Sequence, residues 1–286
     1  MSKYIRFEWA MKRLLRNKAN HVVLEGFLSV LLEQDIKIHK FLESEGNQEE
    51  AGDKYNRVDI LCEDATGRKI IIEVQNERAY SYFTRMLYAT SKIITEYMKL
   101  GDDYGMVQKV FSINIVYFDL GQGKDYVYRG RTDFKGLHDG DILKLSPKQR
   151  ELFGGEEPAD LMPEYFVLKV NNFNKVANES LDQWISFLKT GDIPDNFTAK
   201  GLPEARECLR IDNLPEKERK QYVYEMESRM IENDVIKSKI IDERDEAKKE
   251  GKKEREMEIA RNLKGRVPVE IIMESTGLSA EEINAL

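Results

Sequence analysis

Two short apolar, β-branched runs, each interrupted by one carboxylate, constrain this chain more than any other feature. The first is Arg57-Val58-Asp59-Ile60-Leu61 and the second is Ile70-Ile71-Ile72-Glu73-Val74-Gln75. Both have the composition of strands. Only Glu63 to Lys69 separates them, and Gly67 marks a turn within that stretch. A hairpin here sets Asp59 and Glu73 next to each other at one end of a sheet. A charge in apolar surroundings is unfavourable without a compensating partner, so the pair points to a bound cation. The competing reading is two surface acids on an edge hairpin.

The neighbouring segments read as an α/β fold. Helical spacing of Val23, Phe27, Val30 and Leu31 predicts a helix from Ala19 to about Asp35, and Gly46 to Lys54 reads as a loop. The strands are expected over Arg57–Glu63 and Lys69–Asn76, followed by a helix from Arg78 to Leu100 that stops at Gly101. Val110 to Leu120 reads as a central strand, Asp125 to Thr132 as an edge strand after the Gly121 and Gly123 turn, and Pro163 to Val170 as a further strand. Asn178 to Leu188 reads as a helix with Trp184 and Phe187 in the core. Tyr80, Tyr82, Phe83 and Tyr88 are expected in the core or packed on the sheet.

Beyond Pro215 the composition changes. From there to Arg261 the chain is mostly Glu, Lys, Arg and Asp without an internal proline, and opposite charges recur as in Glu216–Lys220 and Glu225–Arg229. That is the pattern of a long solvated helix, a spacer or a weak coiled coil. Val223, Met226, Met230, Ile231, Val235, Ile236 and Ile240 give its first half an apolar stripe, a candidate homo-oligomer contact. Residues 262–286 read as two short helices about the Gly277 turn, with Ser279 and Glu282 at capping-box spacing. The last helix carries two glutamates and no Lys or Arg, so a structural or dimerising role outweighs base reading. The expected organisation is a core over 1–213, a charged helix over 214–261 and a two-helix tail over 262–286.

Several function classes are excluded or weakened by composition. A net charge of −7 argues against a general nucleic-acid coat but leaves room for a local basic groove. Cys62 and Cys208 have no metal-ligand spacing and read as buried thiols, and His21, His39 and His138 form no zinc pattern. No apolar run approaches the ~20 residues that span a bilayer. With no signal-peptide pattern at the N-terminus, a soluble cytoplasmic protein without a small-molecule cofactor is expected.

Phosphodiester hydrolysis needs a cation to neutralise developing charge and to deliver water. Mg²⁺ prefers oxygen ligands and keeps several waters. Asp59, Glu73 and the Val74 carbonyl satisfy that preference. Gln75, two residues past Glu73, shares its sheet face and is placed to orient water or hold a phosphate oxygen. Arg78, Arg85, Lys92 and Lys99 recur at seven-residue intervals along the following helix, a stripe suited to a DNA backbone or, equally, to solvent. Glu25, within Leu24-Glu25-Gly26-Phe27-Leu28, is a further acid that reads either as a base or as a partly exposed helix residue.

The segments Asn56-Arg57-Val58-Asp59-Ile60, Thr66-Gly67, Ile71-Ile72-Glu73-Val74-Gln75 and Tyr82-Phe83-Thr84-Arg85-Met86-Leu87-Tyr88 resemble the PD-(D/E)XK nuclease family transposases, the Rpn-type recombination-promoting nucleases. The likeness continues through Ser112–Phe118 and resumes in Arg261–Lys264 and Glu274–Ser279. It implies a restriction-endonuclease-like core, a mixed central sheet flanked by helices. It also implies Mg²⁺-dependent DNA cleavage, with one or two ions, linked to recombination or mobile elements. The motif residues then fall on Asp59, Glu73 and Gln75, with Glu25 as the helical acid. Gln75 stands where the broad superfamily has lysine, and Val58 stands where it has proline. The alternative is a non-catalytic DNA-binding or assembly protein that keeps this fold and works through its long helix and tail.

Overall fold

The computed structural model describes residues 4–7, 9–10, 20–42, 59–98 and 102–286. It divides into two compact units, Met1–Leu214 and Pro215–Leu286. The first unit holds β1 (Ile38–Leu42), β2 (Ile60–Asp64), β3 (Lys69–Gln75), β4 (Val110–Val116), β5 (Val127–Gly130) and β6 (Glu164–Lys169). Among the described residues its α-helices include α1 (His21–Leu31), α2 (Tyr82–Glu96), α3 (Pro147–Phe153), α4 (Ser180–Thr190) and α5 (Leu202–Cys208).

The six strands form one mixed sheet in the order β1-β2-β3-β4-β6-β5. β3, β4 and β6 run parallel, and the other pairings are antiparallel. Every residue of β4 is buried, which fits the continuous apolar run expected of a central parallel strand. On one face α2 packs through Ala89 and Ile93 against Leu61, Ile71 and Val110, and through Tyr82 and Met86 against Val116, Leu120 and Val167. α1 and α4 meet through Phe27, Trp184 and Phe187, with Phe7 edge-on to all three rings. A side chain at Gly26 would collide with the backbone of Lys200 and Gly201, so this glycine permits the close approach of α1 to the start of α5.

The mixed sheet with flanking helices matches the sequence expectation, and three local readings are corrected. The hairpin is not at the edge: β1, unrecognised in the sequence, pairs outside β2 over Ile38–Leu42. Its Ile-His-Lys-Phe-Leu pattern lacks alternation, and two of its residues are exposed, as short edge strands tolerate. The helix α2 starts at Tyr82 rather than Arg78, because Asn76 to Ser81 form the connecting turn. Of the four aromatic residues assigned to the core only Tyr82 is buried; Tyr80, Phe83 and Tyr88 are exposed. The short helices α3 and α5, seven residues each with proline in the first turn, carry no assignment from the sequence. The predicted loop over Gly46–Lys54 lies outside the described residues.

The second unit consists of α6 (Glu216–Leu263), α7 (Val269–Thr276) and α8 (Ala280–Ala285). Ala260, Ile272, Leu278 and Ile283 close a small core between the end of α6 and the two short helices. Ser279 and Glu282 form the reciprocal capping box. Met230, Ile231, Val235, Ile236 and Ile240 are exposed along α6.

Candidate active site

The strand register brings the two acids together. Ile60 pairs with Ile72, so one step further along the hairpin sets Asp59 opposite Glu73. Opposed residues of an antiparallel pair share a face, and this is the face covered by α2. Asp59 is half-buried, and its Oδ2 accepts the Val74 N–H at 2.8 Å. That bond fixes the start of β2 against the end of β3.

Glu73 is 3% exposed. Its Oε1 pairs with the Arg85 guanidinium, which reaches down from the first turns of α2. Burial pushes the Glu73 carboxyl above its ordinary value; Arg85 opposes this, and the neighbouring Asp59 charge adds to it. A buried carboxylate beside another acid is a poor anion without a cation at hand. Arg85 supplies that cation in the protein alone.

Next to Glu73 in the parallel register stands Asn114 of β4, followed by Val167 of β6. The Asn114 amide donates to the Ser112 carbonyl and Oγ and to the Phe166 carbonyl. Its Oδ1 accepts from the Tyr82 hydroxyl at 3.3 Å. Burial raises the Tyr82 hydroxyl pKa, and the Glu73 charge raises it further, so the group stays protonated. Sequence reasoning missed this floor of the site. Its signal is a polar Asn and Ser alternating within an otherwise apolar central strand.

The remaining sequence-predicted residues divide sharply. Gln75 lies on the Glu73 face, and its Nε2 donates to the Glu77 carbonyl at 3.3 Å. Arg78 is exposed in the turn before α2, so it leaves the predicted stripe. Lys92 is half-buried on α2, two turns after Arg85, and Lys99 lies outside the described residues. Glu25 is not brought to the pair. Its carboxylate accepts the Ile38 N–H at 2.9 Å and meets Lys37 at 3.1 Å. Ile38 aligns with Asp64, at the far end of β2 from Asp59, about 17 Å along the strand.

Cys62 is buried as expected, whereas Cys208 is half-buried. Burial pushes Cys62 up to about 12 and Cys208 up to about 11, so neither offers a thiolate near neutral pH. Among the described residues no group of three or more His, Cys, Asp or Glu is placed to hold a metal ion. Asp59 and Glu73 are the oxygen donors here that could hold a divalent cation, since such an ion can bind through one or two carboxylates and retain water.

A mixed sheet flanked by helices, with two acids opposed at the end of its second and third strands, defines a restriction-endonuclease-like α/β scaffold. Residues 5–135 match the family model of the PD-(D/E)XK nuclease family transposases, so that stretch is similar to this family. The matched stretch runs through β5 and contains both acids, Gln75 and Arg85. Comparison with curated proteins and with solved structures found no match. Among the described residues no helix is long and apolar enough to cross a membrane.

Proposed function

We propose that this chain is a metal-dependent DNA endonuclease of the cytoplasm, linked to recombination or mobile elements. The observation that carries this reading is the placement of Asp59 and Glu73 opposite each other, on one sheet face, in a stretch similar to a family whose description is nuclease and transposase. Asp59, Glu73 and the Val74 carbonyl would hold one or two Mg²⁺ ions. Such an ion, when bound, would neutralise charge developing on the phosphate and lower the pKa of water.

The side chains divide the remaining work. Gln75 turns its amide from the Glu77 carbonyl towards the attacking water. Arg85 moves from Glu73 to the two non-bridging phosphate oxygens, a bidentate contact that guanidinium geometry favours. Lys92 sits two turns further along α2 and contacts the backbone of the same strand. Asn114 and Tyr82 stay neutral and hold the floor beneath Glu73.

A second reading, a DNA-binding or assembly protein without cleavage, draws on two facts. Arg85 already neutralises Glu73, and α6 exposes an apolar stripe suited to homo-oligomer contact. Plasmid nicking in Mg²⁺ separates the two readings. Wild-type nicking that disappears in Asp59→Ala/Glu73→Ala supports the endonuclease. Nicking that persists in the double variant removes the acids from the mechanism, and DNA binding without nicking favours the assembly reading.

A further inference from the structure

A cleft of about 350 Å³ opens beside α2 on the sheet face that carries Glu73, walled by Phe83, Leu87, Tyr128, Tyr165 and Val167. Phe83 is 55% exposed and Leu87 58%. Large apolar side chains left open together mark a binding surface. The register fixes where this one lies. Glu73 pairs with Asn114, Asn114 with Val167, and Val167 with Tyr128, so a single row crosses the sheet from the acid to the cleft wall. Two strand spacings separate Glu73 from Val167, about 10 Å. At the ~3.4 Å rise of one stacked strand that is a few nucleotides.

The cleft walls are held in place. The Tyr128 hydroxyl accepts the Asp125 N–H at 2.9 Å, and a side chain at Gly123 would collide with it. The Phe83 ring lies along Gly121, where an added Cβ would meet it at 3.7 Å. Both glycines have positive φ, so the turn keeps the space that the two rings use. The charge near the cleft is mixed: α2 contributes Lys92 and the Glu73-paired Arg85 against one acid, Glu96, Arg78 is exposed just before the helix next to Glu77, and the turn beside the cleft carries Asp119, Lys124 and Asp125.

We propose that this cleft receives an unpaired nucleobase, stacked against Phe83 and Tyr128. The substrate class is then a strand with at least one unstacked nucleotide, single-stranded or locally opened. Every base has a π-face, so such a cleft tolerates any sequence. The lining is apolar and aromatic with few polar groups, which suits stacking and not hydrogen-bonded reading. Extrusion of a base into a pocket is opposed by pairing and stacking, so already unpaired strands bind best. The proposal rests on the nuclease reading for its ligand and deepens it.

The test uses the full chain without added metal and oligonucleotides carrying 2-aminopurine, as one strand and as the matched duplex. The expected result is at least tenfold tighter binding of the single strand, with quenching of the 2-aminopurine fluorescence. Phe83→Ala weakens single-strand binding about tenfold and abolishes the quench, while Phe83→Tyr keeps both. Equal binding of strand and duplex, or an unchanged quench in Phe83→Ala, overturns the assignment. So does a wild-type dimer that Phe83→Ala dissociates with nucleic-acid binding intact, which would give the cleft to a second copy. The two readings fail separately. A Phe83-dependent quench without plasmid nicking keeps the cleft and removes the nuclease; nicking without the quench does the reverse.

Discussion

Arg85 on α2 and Glu73 on β3 form an ion pair in which the carboxylate is almost wholly buried and the guanidinium is 39% exposed. Arg85 thus supplies the positive charge that a cation would supply if the acid pair binds metal as proposed. Removing one partner of a buried pair leaves an uncompensated charge, a loss of roughly 3–5 kcal/mol when both are buried. With Arg85 partly in solvent, Arg85→Ala is expected to cost about 1–2 kcal/mol in the metal-free protein. Divalent cation should then raise the melting temperature of the variant more than that of wild type. Thermal unfolding with and without Mg²⁺ checks this; an equal shift in both proteins would remove Glu73 from cation binding.

Glu25 offers the opposite test. Its carboxylate caps the Ile38 amide and pairs with Lys37, at the end of the sheet away from Asp59. Leaving that amide without its acceptor is expected to cost about 1–3 kcal/mol. Glu25→Ala should therefore lower the midpoint of urea unfolding while the rate of DNA cleavage per folded molecule stays unchanged. A variant with wild-type stability and no cleavage would return Glu25 to the mechanism.

How far the sequence reveals where these side chains lie depends on whether their placement is local. Asp59, Glu73 and Gln75 were legible because strand periodicity and a short turn decide both face and register. Glu25 was not, because its position depends on α1 docking beside β1, a strand whose Ile-His-Lys-Phe-Leu sequence has no period. Phe83 and Tyr88 were misplaced for a related reason. A helix beginning at Arg78 and one beginning at Tyr82 have the same wheel, but only the tertiary contact through Tyr82, Met86, Ala89 and Ile93 decides which arc is buried. Asn114 was hidden inside an apolar run, where its role appears only once β3, β4 and β6 are aligned.

Acid sensitivity should come from the end of the sheet away from the acid pair. Burial pushes the Asp64 carboxyl up, but the Thr66 hydroxyl and amide and the Arg68 guanidinium outweigh it and hold the group below its ordinary value of 3.8. Glu164 behaves alike: burial raises it, and Lys109 and Arg129 bring it below 4.5. A carboxyl depressed by folding stabilises the native state fully above its unfolded pKa, and that share is lost as pH falls through the folded value. Stability from these two groups is thus complete above about pH 5 and declines below about pH 4. Asp64→Asn should be less stable at neutral pH and lose less on acidification. Urea unfolding between pH 3 and pH 7 measures the difference, and parallel curves for the two proteins would contradict it.

Ending the chain at Leu214 tests the division into units. The sheet, α1 to α5 and both acids lie in Met1–Leu214, while α6 to α8 close their own small core around Ala260, Ile272, Leu278 and Ile283. The shortened chain should unfold cooperatively and keep the Asp59–Val74 bond that holds the acid pair. It also lacks the α6 stripe of Met230, Ile231, Val235, Ile236 and Ile240, each 41–67% exposed. Such a stripe on a long charged helix buries itself by pairing with a like helix. Full-length protein should therefore sediment as an oligomer and the 1–214 chain as a monomer. The same monomer from both would leave the stripe without a role in assembly, and a 1–214 chain that fails to fold would show that the first unit depends on the second.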